Sequence, residues 1–336
     1  MGTKRTMKVL LALALSFVAI GVGSTVAPKA LAASRSQNGS GDSFTYSGSR
    51  ECPSPPTGWD PTTATAAQLR FYGLPLPHAS EGPAYQTWVD NMQHVRQRIC
   101  GGEVVSKYHT DTLSTHAGIG TAGTNGDYWS GYADTASGFN FINGEWDVPC
   151  YSGTSNSQRA LEWIGLGGYN SSNLWQAGTE TDHANGYRFW YEHVPGSNII
   201  YAGPAVACGD SVYVALDYNQ TVPGKAYVYM YNYVNGQYWS TSKSFVPSNN
   251  SAEWIVERTS CGTNKNWALT PFGTVSWWSL SAASSNYAND VNEPLTYFSH
   301  AELNMYQNGV DLSDNSTVSG GNSFATFYHN SGTSYC

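Results

Sequence analysis

From Tyr128 onward the chain is written in short runs of Tyr, Trp, Val and Thr that alternate with polar residues. Gly, Asn, Ser or Pro breaks each run, as in "GFNFINGEWDVP", "YRFWYEHVP", "SVYVALDY", "KAYVYMYNYV" and "TVSWWSL". Alternation among β-branched and aromatic residues is strand chemistry, because such side chains fit a pleated, half-buried surface. Many short runs at this spacing predict an all-β domain, an antiparallel two-sheet β-sandwich. Residues 123–336 suffice for one large domain of that kind, and no internal repeat divides it.

The upstream part has a different texture. "MGTKRTMK" is basic, "VLLALALSFVAIGVG" apolar, and "ALA" at 30–32 a small-residue cleavage site, so residues 1–32 are expected to be an export signal. No other stretch approaches the roughly 18 apolar residues of a membrane span. The expected product is therefore secreted, with no membrane contact once the signal is gone. "TTATAAQLRFYGLPLP" and "YQTWVDNMQHVRQRIC" have the Ala, Gln, Leu, Met and Arg content of short helices. "THAGIGTAGTNG" then reads as a linker, which makes residues 33–122 a partly helical prosegment with its linker.

All six cysteines (Cys52, Cys100, Cys150, Cys208, Cys261 and Cys336) follow the signal. An even number in an oxidising compartment predicts disulfides, with Cys52 and Cys100 paired because both precede the main domain. No C-x-x-C or H-E-x-x-H spacing occurs, so neither metal nor cofactor is expected. Residues 123–336 hold six Lys or Arg against seventeen Asp or Glu. That balance argues against a nucleic-acid partner, since phosphate contacts need basic side chains. It also predicts tolerance of acid, because protonating the carboxylates leaves little positive charge to repel itself.

Nucleophile chemistry is poorly represented. "GDSF" and "GDSV" lack the G-x-S-x-G elbow, and neither D-T-G nor D-S-G is present. Carboxylates remain, above all in "AEWIVER" at 252–258. Strand alternation puts Ala252, Trp254 and Val256 on one face and Glu253, Ile255 and Glu257 on the other. Glu253 and Glu257 are about 13 Å apart along a strand rising roughly 3.3 Å per residue, too far to share one reaction. A glycoside hydrolase would pair one of them with a glutamate on another strand, such as Glu162 or Glu192. A non-catalytic, lectin-like sandwich binding glycans through exposed Trp and Tyr is open on the same residues.

Five segments narrow the choice: "ALEWIGLGG" (160–168), "NLWQAGTE" (173–180), "YRFWYEHVP" (187–195), "AEWIVER" and "PFGTVSW" (271–277), in that order. Together they resemble the glutamic peptidases, the eqolisins of peptidase family G1, over roughly residues 125–336. The resemblance implies an acid endopeptidase with a sandwich fold, acting on proteins or peptides as a monomer. It implies that Gln176, from the "L-x-Q-x-G" stretch, and Glu257, closing the "A-E-x-I-x-E" strand, are the catalytic pair. Trp163 matches a tryptophan flanking the family's site, and Glu180 and Glu192 match acidic positions behind the catalytic groups. Glu253 then reads as a supporting neighbour. Gly167, Arg188 and Arg258 depart from the pattern, since acidic residues are usual or occur at those places.

Overall fold

Alternation in the sequence becomes alternation of faces in the structure. The structure is a computed structural model and describes residues 128–336 except 170, 219–223, 263, 264 and 287–291, with Gly126 and scattered positions between 50 and 100. In chain order the first strands are β1 (Arg50–Glu51), β2 (Gln97–Cys100), β3 (Trp129–Thr135) and β4 (Phe139–Asp147). Next come β5 (Gln158–Gly167), β6 (Leu174–Asp182), β7 (Gly186–Val194) and β8 (Ile200–Tyr201). Then follow β9 (Ser211–Tyr218), β10 (Lys225–Asn232), β11 (Gln237–Ser244) and β12 (Ser251–Glu257). Short strands β13 (Ser260–Gly262), β14 (Lys265–Asn266) and β15 (Ala268–Leu269) lead to the long β16 (Thr274–Ser284). The last are β17 (Glu293–Pro294), β18 (His300–Leu303), β19 (Met305–Gln307), β20 (Val310–Asn315) and β21 (Phe324–Tyr328).

Two sheets stack on each other. The larger runs β1-β2-β11-β10-β9-β4-β16-β21-β20-β19, with β17 beside β16. The smaller runs β18-β3-β12-β5-β6-β7-β8, with β15 beside β5. This is the antiparallel sandwich the sequence predicts. Ile164, Ala177, Trp254 and Val256 of the smaller sheet meet Ile142, Val214, Val228 and Met230 of the larger in one continuous buried core.

Tryptophans tie the layers. Trp254 Nε1 donates to Asn143 O at 2.9 Å, and Trp175 Nε1 to Tyr227 O at 3.0 Å. Trp146 answers from the other sheet, donating through Nε1 to Thr179 Oγ1 at 3.0 Å. Each indole buries a large apolar surface and also satisfies its own polar edge, the condition for burying tryptophan without a desolvation penalty. Disulfides Cys150–Cys208 and Cys261–Cys336 close loops of 58 and 75 residues. Loop-closure entropy assigns each about 4 kcal/mol. The Cys52–Cys100 pairing lies outside the described residues, because Cys52 is not among them.

Upstream, one expectation is corrected. The second stretch read as helix ends in strand β2, which pairs in parallel with Gln237–Ser240 of β11. Helix propensity is a weak prior, and an open sheet edge overrides it by offering backbone partners. Gln68, Leu69, Val89 and Met92 are helical. Leu69, Leu74 and Met92 form a small cluster with Trp59 and Tyr72 packed on it.

The stitching tryptophans make a prediction. Trp254→Phe keeps most of the buried volume but strips Asn143 O of its donor, and should cost about 1–3 kcal/mol in urea unfolding. An unchanged midpoint would show that the indole hydrogen bond contributes nothing net.

Candidate active site

The outward face of the smaller sheet carries an unusual density of polar groups. Register places Glu253, Gly165, Gln176 and Glu192 in one row across β12, β5, β6 and β7. The next row is Ile255, Trp163, Gly178 and Trp190, and the third is Glu257, Leu161, Glu180 and Arg188. Every site residue that the sequence singled out therefore projects from this one face. Glu162 does not. It lies on the core side, its carboxylate accepting from Thr179 Oγ1 at 2.8 Å and Thr181 Oγ1 at 3.2 Å. It is thus unavailable as a partner for Glu253 or Glu257.

Two glycines make room in these rows. A Cβ on Gly165 would stand 2.7 Å from the Trp163 ring and 3.1 Å from Glu253 Oε2. One on Gly178 would stand 1.8 Å from Glu162 O, so β5 and β6 meet there at a distance no side chain tolerates. The Trp163 ring consequently lies along its own strand, with Trp129 edge-on at 5.0 Å. Its Nε1 donates to Glu257 Oε2 at 2.8 Å. That bond fixes one carboxyl oxygen of Glu257 against the indole.

Gln176 Nε2 donates to Glu192 Oε2 at 2.9 Å. Its Oε1 is buried and accepts no hydrogen bond among the described residues. Burial and the charge of Glu257 push the Glu192 carboxyl well above the usual range, against the pull of the Gln176 hydrogen bond. Two carboxyls this close in a dry setting do not both ionise readily. The arrangement disfavours ionisation of Glu192.

Glu253 is held differently. Tyr169 N donates to its Oε1 at 3.0 Å, yet burial pushes the carboxyl up to about 8. Asp134, on neighbouring β3, is pushed well above its ordinary value by burial and then by Glu253. Glu180 takes Arg188 as a partner, with Arg188 Nε donating at 3.0 Å and Nη2 also in contact. The guanidinium in turn stacks 3.7 Å over the Tyr201 ring. Arg188, which departs from the resemblance, thus neutralises an acidic position in the network.

Sequence reasoning missed Trp190 and Tyr201. Trp190 was legible, since it shares a strand face with Glu192 two residues on. Tyr201 arrives on β8, a two-residue strand beside β7, and nothing local marks it.

The outer face of this β-sandwich thus gathers a glutamine, an indole-bound glutamate and further buried carboxyls. The comparisons supply the class. Residues 127–328 match the sequence profile of the Peptidase A4 family, and the chain belongs to that family. It is a peptidase of the glutamic type, a hydrolase. Among solved structures it is similar to scytalido-glutamic peptidase with a peptide-based transition state analog, at 22% identity and a TM-score of 0.52. That match covers 62% of this chain and 100% of the other. A second structure of scytalido-glutamic peptidase, with a transition state analog inhibitor, matches at 23% identity, the same coverage and the same TM-score. At that identity the likeness concerns the fold. A search of curated proteins returned no match.

The buried carboxyls predict how stability depends on pH. Glu162 and Glu253 are each raised to about 8 from an ordinary 4.5. A group whose folded value lies above its unfolded one contributes stability that is complete in acid and lost as pH rises through the folded value. Denaturant midpoints should therefore fall between about pH 4.5 and 8, by several kcal/mol in all, and Glu162→Gln should flatten the fall. Stability that rises over that window in the wild type would contradict the assignment.

Proposed function

We propose that the protein is a secreted acid endopeptidase in which Glu257 and Gln176 act on one scissile carbonyl. The observation that carries this is the pairing of two bonds on one face: Trp163 Nε1 to Glu257, and Gln176 Nε2 to Glu192. Amide hydrolysis needs an activated water, a stabilised oxyanion and a proton for the leaving amine. Ionised Glu257 takes a proton from the water as its oxygen attacks the carbonyl carbon. Gln176 has two N–H donors, one of them spent on Glu192, and the other donates to the developing oxyanion. Gln176 Oε1, with no hydrogen bond to accept among the described residues, orients the same water. The C–N bond then breaks as protonated Glu257 hands its proton to the nitrogen, which regenerates the carboxylate.

Glu192 is the positioning group in this reading. Neutral in acid, it fixes the Gln176 amide without competing with Glu257 for negative charge. A carboxylate base with an indole donor works in acidic medium, in accord with the base-poor composition. A glycan-binding sandwich needs exposed aromatic platforms. Among the described residues Trp163, Trp175, Trp190 and Trp254 are instead fully buried, and the large exposed aromatics are two tyrosines, Tyr297 and Tyr335, not a tryptophan platform. Peptides are the substrates that fit.

Maturation belongs to the proposal. Loss of residues 1–32 on export and of 33–122 afterwards is assigned as the step that produces the active form. Edman sequencing of the secreted active product should begin near residue 123; a stable, active product beginning at Ala33 would refute removal.

Digestion of a denatured protein substrate between about pH 2 and 5 tests the chemistry. Gln176→Ala should lower kcat about 100- to 1,000-fold, the cost of removing one oxyanion donor. Glu257→Gln should lose at least about 100-fold, the scale of a general base. Undiminished proteolysis by both variants would end the assignment.

A further inference from the structure

The C-terminal residues 331–336 contain no strand, yet they are tied down along their whole length. Leu269 N donates to Ser331 O at 2.7 Å, and Gln158 Nε2 to Ser331 Oγ at 2.9 Å. Thr333 N donates to Gln307 Oε1 at 2.6 Å, and Tyr335 N to Asn266 O at 2.9 Å. Cys336 is bonded to Cys261. The centre of this arrangement is Arg258, the residue immediately after Glu257. Its side chain is fully buried, with Nε donating to Trp267 O at 2.6 Å and Nη2 to Thr333 O at 2.5 Å. Its backbone N donates to Tyr128 O at 2.8 Å, carrying the β12–β3 pairing one residue past the end of the strand.

These bonds converge on two strands. Arg258 fixes the end of β12 that carries Glu257. Ser331 holds β15, which pairs with Gln158 and Arg159 of β5, the strand that carries Trp163. The Trp163–Glu257 hydrogen bond joins those same two strands. A guanidinium is suited to such a task, because its rigid fork binds two carbonyls at once and stays charged when buried.

We propose that Arg258 and the C-terminal tail form a positioning clamp that holds the Glu257 carboxylate against Trp163 and toward Gln176. The proposal rests on the reading of Glu257 as the base. The clamp sets the geometry of β12 relative to β5, and a displacement of about 1 Å in a catalytic group costs on the order of 100-fold in rate. It acts on kcat, since the clamp touches no substrate.

The test uses the full chain, secreted and matured as for the wild type, with three changes. Arg258→Met removes charge and donors, Arg258→Lys keeps the charge but loses the fork, and truncation after Ser331 with Cys261→Ser removes Thr333 and the disulfide. Among variants folded by circular dichroism, Arg258→Met and the truncation should each lower kcat about 10- to 100-fold with KM within about threefold. Arg258→Lys should recover part of the loss. Combining Arg258→Met with the truncation should be little worse in kcat than either alone, because both remove the Arg258–Thr333 contact on which the clamp depends. If Arg258→Met does not fold, the lysine variant and the truncation carry the same comparison. Wild-type kcat in the folded single variants, or losses that multiply in the combined one, overturns the clamp. An inactive Glu257→Gln beside a fully active Arg258→Met would sink the clamp alone, whereas a fully active Glu257→Gln would sink the assignment of the base.

Discussion

One hydrogen bond organises the outer face of the smaller sheet: Trp163 Nε1 to Glu257 Oε2, at 2.8 Å and away from solvent. It gives Glu257 a donor that the neighbouring carboxyls lack. Glu192, Glu253 and Asp134 all lie in settings that raise them above the ordinary range. None of these three accepts an indole donor among the described residues. In a dry environment a single well-placed N–H discriminates between neighbouring acids, because the cost of an unsolvated charge is large and falls on whichever group lacks a partner. Gly165 and Gly178, where the rows leave no space for a Cβ, allow the indole to lie where it reaches Glu257.

Much of this was legible in the sequence. Alternation in "AEWIVER" correctly separated Trp254 and Val256, now in the core, from Glu253 and Glu257 on the outer face. Alternation is reliable here because one face of the smaller sheet is sealed against the larger, so a one-residue slip would drive two glutamates into the apolar core between the sheets. What alternation did not give was cross-strand register. Gln176 and Glu192 are sixteen residues apart in the chain and directly opposite in β6 and β7. Only the resemblance brought Gln176 together with Glu257, which lies on neither neighbour of β6. The strand at Gln97–Cys100 was misread for the same reason, since its partner β11 is remote in sequence.

Two buried carboxyls favour their neutral forms. Glu162 sits inside the sandwich, hydrogen-bonded by two threonines, and Glu253 is buried with Tyr169 N as donor, each raised to about 8. As neutral acids they are ordinary buried hydrogen-bonding groups; as carboxylates they would be unpaired charges in the core. Where cations are used they are committed to structure: Arg188 to Glu180 and Tyr201, Arg258 to two backbone carbonyls. The three departures from the glutamic peptidase pattern thus differ in kind. Two place buried guanidinium groups that brace the catalytic strands. Gly167 adopts a φ of +79° with Ser248 O 2.2 Å from any added Cβ, a position only glycine fills without strain.

The central claim is that Gln176 and Glu257 meet at one carbonyl. The most direct measurement is a crystal structure of the matured protein bound to a peptide whose scissile carbonyl is replaced by a tetrahedral, hydroxyl-bearing carbon. The account predicts that carbon's oxygens within about 2.6–3.2 Å of both the Gln176 amide and the Glu257 carboxylate. A mimic seated elsewhere, or one that touches Glu257 while Gln176 stays turned toward Glu192 alone, would contradict it.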